Sequence, residues 1–313
     1  MSKFKLAAAA ISVALLAWIV WTSNPAELAR LLATADKRYI AAALCVSVVS
    51  MAFRVLKWKF LVNAPFFILV PVQLFGMTLS NFTPGKMGEP AKALILKART
   101  GIPVSRSLPS IVWERILDVI VLLSFAALFM FNVPLSGNLA VFSYIGVSLF
   151  TIAMLIAGAI IAKRSIGEKI FSLAGRLPFL RKVSNEFINT FYSVSFSRSS
   201  LLQSFAATAA PWALDALVLW LAVASLHQSV PYVLLMGVVA ISTIIGVASS
   251  LPGGIGSMET VASLLLTSLG VPATTAVASV LLFRAATFWF GSAVGALSFL
   301  YLSRRLDVRT AMK

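Results

Sequence analysis

Five of the ten acidic residues, Glu89, Glu114, Asp118, Asp215 and Glu259, fall within or beside long apolar stretches, and Arg115 and Arg284 join them. A charge near the middle of a bilayer costs at least about 2.5–3.5 kcal/mol on insertion scales. Each therefore needs a partner or a water-filled cavity, and such residues mark ion, proton or substrate paths. Glu114 and Asp118 are four apart and share a helix face, and Arg115 lies three before Asp118, spacings that let side chains meet on a helix. This Arg–carboxylate network could staple helices together or line a pathway; the sequence leaves both open. Trp113, beside Glu114 and Arg115, is the aromatic candidate for substrate contact.

These charges sit in a duplication. Residues 84–118 and 252–287 both contain Pro-Gly-x-x-Gly followed by a glutamate: Pro84, Gly85, Gly88 and Glu89, then Pro252, Gly253, Gly256 and Glu259, with Gly254 inside the second turn. Gly101, Pro103, Ser110 and Arg115 align without a gap on Gly270, Pro272, Ser279 and Arg284. Glycine lets a chain turn tightly and approach a ligand. A short helix should follow each turn, with Pro90 near the start of one and Ser257 capping the other. Their free N–H groups and positive dipole ends favour anions. With Arg115 and Arg284 nearby, two such ends would suit a phosphate headgroup, and Glu89 or Glu259 would hold those ends when no substrate is bound. The competing reading is that the glycines only permit tight helix crossing, as Gly291 and Gly295 do in a GxxxG pair.

The chain around them is 60 % hydrophobic and 12 % charged, with a mean hydropathy of +0.96. So little charge over 313 residues implies a polytopic, all-α membrane protein. Six stretches approach the ~20 apolar residues that a span needs: roughly 6–22, 39–58, 108–131, 139–162, 203–226 and 274–302. Two more, in 65–99 and 232–269, break at Pro-Gly and read as re-entrant helical hairpins. The net charge of +16 collects in short segments between spans, which fits the positive-inside rule and anionic headgroups and not nucleic acid. Arg54, Lys57, Lys59, Lys92, Lys97, Arg99 and Arg106 then lie inside with both termini, in the plasma (inner) membrane. The second hairpin carries no Lys or Arg before Arg284 and enters from outside. The two copies would be an inverted repeat, a transporter pattern. The organisation is one transmembrane domain: a first half 1–162, an amphipathic cytoplasmic connector 163–202 and a second half 203–313.

Catalysis finds little support. Only four aspartates occur, with no Asp-x-Asp for a metal–nucleotide site, and the single histidine, His227, reads as a loop residue. No Walker-type loop is present, so ATP is not expected to drive the protein. Cys45 stands alone, so no disulfide within the chain and no cysteine metal site can form. We expect no metal and no cofactor. A carboxylate-only lipid-modifying enzyme has no motif behind it.

The stretch GKMGEPAKALILKARTGIPVSRSLPSIVWERILD, with SSLPGGIGSMETV and FRAATFWF later, resembles the lysylphosphatidylglycerol synthase transmembrane-region family of flippase-like membrane proteins. The resemblance covers roughly residues 5–305 and places Gly85, Gly88, Glu89, Glu114, Arg115, Asp118, Pro252, Gly253, Gly254, Gly256, Glu259 and Arg284 on family motifs. It implies movement of an anionic lipid between leaflets, without lysyl transfer, because no aminoacyl-transferase domain accompanies the region. The expected ligands are membrane lipids, anionic phospholipid or lipid-linked phosphate. Arg115, Arg284, Trp113 and the turn glycines Gly85, Gly88, Gly253, Gly254 and Gly256 would contact substrate. Glu89, Glu114, Asp118, Asp215 and Glu259 would balance charge or carry protons. The alternative is a non-transporting partner that presents lipid to a separate glycosyl- or aminoacyl-transferase.

Overall fold

A computed structural model describes residues 3–62, 64–83, 88–133, 152, 163–166, 168–169 and 198–304. All regular structure among them is helical. The helices are α1 (Lys3–Thr22), α2 (Pro25–Thr34), α3 (Lys37–Val62), α4 (Phe66–Asn81), α5 (Ala91–Thr100), α6 (Val104–Asn132), α7 (Arg198–Ser225), α8 (Tyr232–Ala248), α9 (Ser257–Ser268), α10 (Ala273–Arg284) and α11 (Phe290–Ser303). A π-turn, Ala285–Trp289, joins the last two. Among the described residues, three stretches are long and apolar enough to cross a membrane: Lys37–Val62, Leu202–Ser225 and Ala273–Ser303. A fourth exists if α1 and α2, bent by 87° between them, count as one span. The expected span 139–162, the turn residue Gly85 and most of the 163–202 connector lie outside the described residues.

Both expected helix–break–helix units form. α4 stops at Asn81 and α5 starts at Ala91, while α8 stops at Ala248 and α9 starts at Ser257. After each short helix comes a glycine with positive φ, Gly101 (73°) or Gly270 (92°), then an extended proline, Pro103 or Pro272. The next helix opens at Val104 or Ala273, so Arg115 and Arg284 each occupy its twelfth position. The gap-free sequence match therefore records matched local structure.

The two halves interlock. α3 packs along α7, α6 along α8, and α4 along α11. Close approach sets these contacts. A Cβ on Gly295 would collide with Leu74 and Thr78, which presses α11 onto α4. One on Gly88 would lie 2.7 Å from the Leu79 carbonyl oxygen, which fixes the start of the α5 unit against α4. The largest apolar cluster runs through α6, α7, α8, α9 and α10 and includes Phe129, Leu219, Leu235, Leu266 and Phe283.

One expectation about helix starts is corrected. Gly256, not Ser257, caps α9, and the Ser257 hydroxyl donates to the Gly254 carbonyl at 3.0 Å. Glycine offers no capping side chain, so only one arm of a capping box exists: the Gly256 N–H donates to Glu259 Oε2 at 2.7 Å. That carboxylate holds the buried helix end.

Candidate functional site

The helix α3 brings a polar stripe into an apolar helix. Ser47, Ser50, Arg54 and Lys57 recur at intervals of three and four, the spacing of one face. Lys57 is 1 % exposed. Its Nζ lies 2.7 Å from Asp118 and 3.2 Å from Glu114 on α6. Lys92, at the start of α5, is fully buried, pairs with Glu114, donates to Gln73 Oε1 at 3.1 Å and lies 4.6 Å from the Trp58 ring. Gln73 in turn donates to Glu114 at 3.0 Å. The sequence reading placed Arg54, Lys57 and Lys92 on the inner side and named no partner for them. In the structure α3 continues to Val62, and all three cations pair with carboxylates of the protein.

Arg115 is the member of this cluster that reaches outward. Its side chain is 31 % exposed, while those of its partners Glu89, Glu114 and Asp118 are 0–5 % exposed. Its Nη2 lies 2.8 Å from Glu89 and 3.1 Å from Asp118. In the second copy, Arg284 Nε meets Glu259 at 2.6 Å. Each arginine of the duplication thus pairs with the glutamate of its own turn. A third pair, Arg54–Asp215, joins α3 to α7, and Ser50 also donates to Asp215, at 2.8 Å.

These pairs meet at a cavity of about 160 Å³. Arg54, Glu89, Arg115, Asp215 and Arg284 all line it, with Gly253 and Gly254 of the second turn. Gly253, at φ 61°, could carry no side chain there, since a Cβ would press on Phe288 and lie 3.0 Å from the Asn81 carbonyl oxygen of the other half. Glu114, Asp118 and Glu259 stand behind the wall as counter-charges. Gly88 and Gly256 serve chain packing and capping away from it. Trp113 is buried and does not line the cavity, but Trp212 does. Trp212 Nε1 donates to Asp118 at 2.8 Å, and Arg54 lies 4.8 Å from its ring. Trp212, Arg54 and Lys57 are the residues that sequence reasoning missed. Among the described residues, no cluster of three His, Cys, Asp or Glu is placed to hold a metal.

Residues 5–295 match the lysylphosphatidylglycerol synthase TM region. The chain belongs to that family. Among its relatives is a UPF0104 membrane protein of Methanothermobacter thermautotrophicus, 29 % identical over 92 % of this chain and 90 % of the relative. A UPF0104 membrane protein of Pyrococcus horikoshii is 25 % identical over 91 % of this chain and 93 % of its own length. Glycosyltransferase AglD of Haloferax volcanii is 20 % identical over 87 % of this chain, but the match takes in only 50 % of that protein. Over the family region, this chain is thus a helical membrane protein matched almost end to end by stand-alone relatives.

Breaking a buried ion pair by removing one partner costs about 3–5 kcal/mol, because a charge is left uncompensated. Lys92→Met should therefore destabilise the purified protein by about that much in chemical unfolding. Adding Glu114→Gln should restore most of the loss, since Lys57 keeps Asp118 and Arg115 keeps Glu89.

Proposed function

We propose that this chain is a lipid translocase that moves an anionic, phosphate-bearing headgroup between leaflets through the polar cavity, without ATP. The observation that carries the reading is the cavity: three arginines and two carboxylates line one space in a chain that is 60 % hydrophobic. Ionised groups are retained inside membrane segments at high cost and mark a pathway. The headgroup occupies the cavity while the tails stay in the bilayer. Glu89, Asp118 and Glu259 balance the arginines or take up protons as the headgroup passes.

In this reading six helices span the plasma membrane with both termini inside. The units α4–α5 and α8–α9 are re-entrant hairpins that enter from opposite faces, and the two copies form an inverted repeat. The matched sequence Gly-x-Pro, the twelfth-position arginines and the within-copy Arg–Glu pairs support the duplication. The charge difference between the copies supports the inversion, even with Lys92 spent on Glu114, because Lys97, Arg99 and Arg106 remain in the first copy.

A second reading has its own support. Half of the Haloferax protein, which is named a glycosyltransferase, lies outside the match. A chain of this type could instead present lipid to a transferase and move nothing.

The deciding test is leaflet exchange of a fluorescent anionic phospholipid in proteoliposomes, read with a membrane-impermeant quencher. We expect fast exchange that Arg115→Ala slows at least tenfold, since one lost charged contact is worth about 1.5–3 kcal/mol. Exchange indifferent to that change would contradict passage through the cavity. No exchange across several headgroups and imposed ion gradients would favour the presenting role. Orientation has a separate test. In a Cys45→Ser background, cysteines placed at the exposed positions Lys97 and Ala273 should react with an impermeant thiol reagent from opposite sides. Reaction of both from one side would remove the inverted repeat.

A further inference from the structure

The arginines of the two copies are not equivalent. Arg284 has every nitrogen engaged: Nε donates to Glu259 at 2.6 Å, Nη1 to Met258 Sδ at 3.4 Å and Nη2 to the Gly253 carbonyl oxygen at 2.9 Å. Its guanidinium also lies 4.2 Å from the Phe288 ring. All three hydrogen-bond partners belong to the Pro-Gly turn or the first turn of α9, so Arg284 holds that turn closed. Arg115 differs. It meets its carboxylates through Nη2, and its Nε is buried without a partner among the described residues.

Arg54 stands beside Arg115 in this respect. It meets Asp215 through Nη2 and lines the same cavity. Trp212 connects the two arginines: Arg54 lies over its ring, its Nε1 holds Asp118, and Asp118 holds Arg115. A guanidinium has five N–H donors in a rigid fork, so a carboxylate on one edge leaves the other edges for a second anion.

Two hydroxyls complete the set. Serines and threonines inside these helices commonly satisfy themselves on a carbonyl four residues back, as Ser47, Thr208, Ser242 and Ser279 do. Ser80 on α4 and Thr243 on α8 do not. Both are more than nine-tenths buried, both line the cavity, and neither hydroxyl has a partner among the described residues. A buried polar group left unbonded is costly, and here the unbonded groups share one space with two arginines.

We infer that Arg54, Arg115, Ser80 and Thr243 form an anion site whose ligand is a phosphate group, and that Arg284 shapes the turn beside it without binding the ligand. A phosphate suits the set because its tetrahedral oxygens accept from several directions at once, whereas a carboxylate offers two oxygens in one plane. Glu89 and Asp215 keep their arginines during binding, so no buried carboxylate is stranded. The inference deepens the translocase reading and rests on it only for the source of the phosphate, a lipid headgroup.

The test is calorimetric titration of the full chain in detergent with two probes, dihexanoyl phosphatidic acid and inorganic phosphate. Ser80→Ala and Thr243→Val remove hydroxyls that bond no described residue, so both should fold as the wild type does. Each should weaken phosphatidic acid binding about tenfold, the worth of one hydrogen bond to a charged ligand. Arg54→Gln with Asp215→Asn removes a cation together with its counter-charge and should weaken binding further. Glu259→Gln with Arg284→Gln removes the ion pair of the second turn and serves as the contrast: its loss of affinity should be smaller than that of the Arg54–Asp215 double variant. Equal affinity in the wild type, Ser80→Ala, Thr243→Val and the Arg54–Asp215 double variant would overturn the site, as would no binding of either probe. Binding of inorganic phosphate with refusal of the lipid would keep the site and overturn the translocase reading instead.

Discussion

Uncompensated charge cannot stay inside an apolar, membrane-embedded protein, and the arrangement of this chain follows from that constraint. Five cations sit in its described interior, Arg54, Lys57, Lys92, Arg115 and Arg284, against five carboxylates, Glu89, Glu114, Asp118, Asp215 and Glu259. Every cation touches a carboxylate. Most of these contacts join separate elements: α3 to α6 through Lys57, α5 to α6 through Lys92, α3 to α7 through Arg54, and α9 to α10 through Arg284. The ion pairs therefore set helix register as well as cancelling charge. Of these groups, Arg54, Arg115, Arg284, Glu89 and Asp215 also line the cavity.

The duplication divides the labour. Both copies make a turn, a short helix and a long helix with arginine at the twelfth position. In the second copy the glutamate also caps α9 and the arginine also binds the Gly253 carbonyl, so the pair is locked into the backbone. In the first copy Lys57 and Lys92 already neutralise Glu114 and Asp118. Arg115 is left with Glu89 as its own counter-charge and with a partly exposed head. The arginine of the second copy is thus tied to the backbone, while that of the first keeps a partly exposed guanidinium.

Much of this was legible in residue spacing. The constant offset between Arg115 and Arg284 predicted equivalent helical positions, and the Pro-Gly breaks predicted both helix–break–helix units. The partners of the charges were harder to see. Asp215 stood out as an isolated acid, but Arg54 lies 161 residues away in sequence and meets it only because α3 packs along α7. Arg54, Lys57 and Lys92 were read only for the side of the membrane they mark, because each lies near a hydrophobic boundary. The available signal was the run Ser47, Ser50, Arg54, Lys57, which puts polar groups on one face of an otherwise apolar helix. Trp113 drew attention by adjacency to Arg115, yet residues two apart on a helix do not share a face. Trp212 occupies the cavity wall that adjacency suggested for Trp113. The cap of α9 was misjudged for a local reason, because Glu259 reaches back to the Gly256 N–H and makes a serine cap unnecessary.

The central claim is that a phosphate-bearing lipid occupies the space between these helices. Thr243 offers the most direct view of that space, since it lines the cavity and its hydroxyl bonds to no described residue. The measurement is the rate at which a charged, water-soluble thiosulfonate modifies Thr243→Cys in a Cys45→Ser background, with and without dihexanoyl phosphatidic acid. The account predicts steady modification that the lipid slows in a saturable way, while dihexanoyl phosphatidylcholine slows it less. A cysteine that never reacts, or one whose rate the lipid leaves unchanged, would contradict a water-filled cavity built to receive a phosphate headgroup.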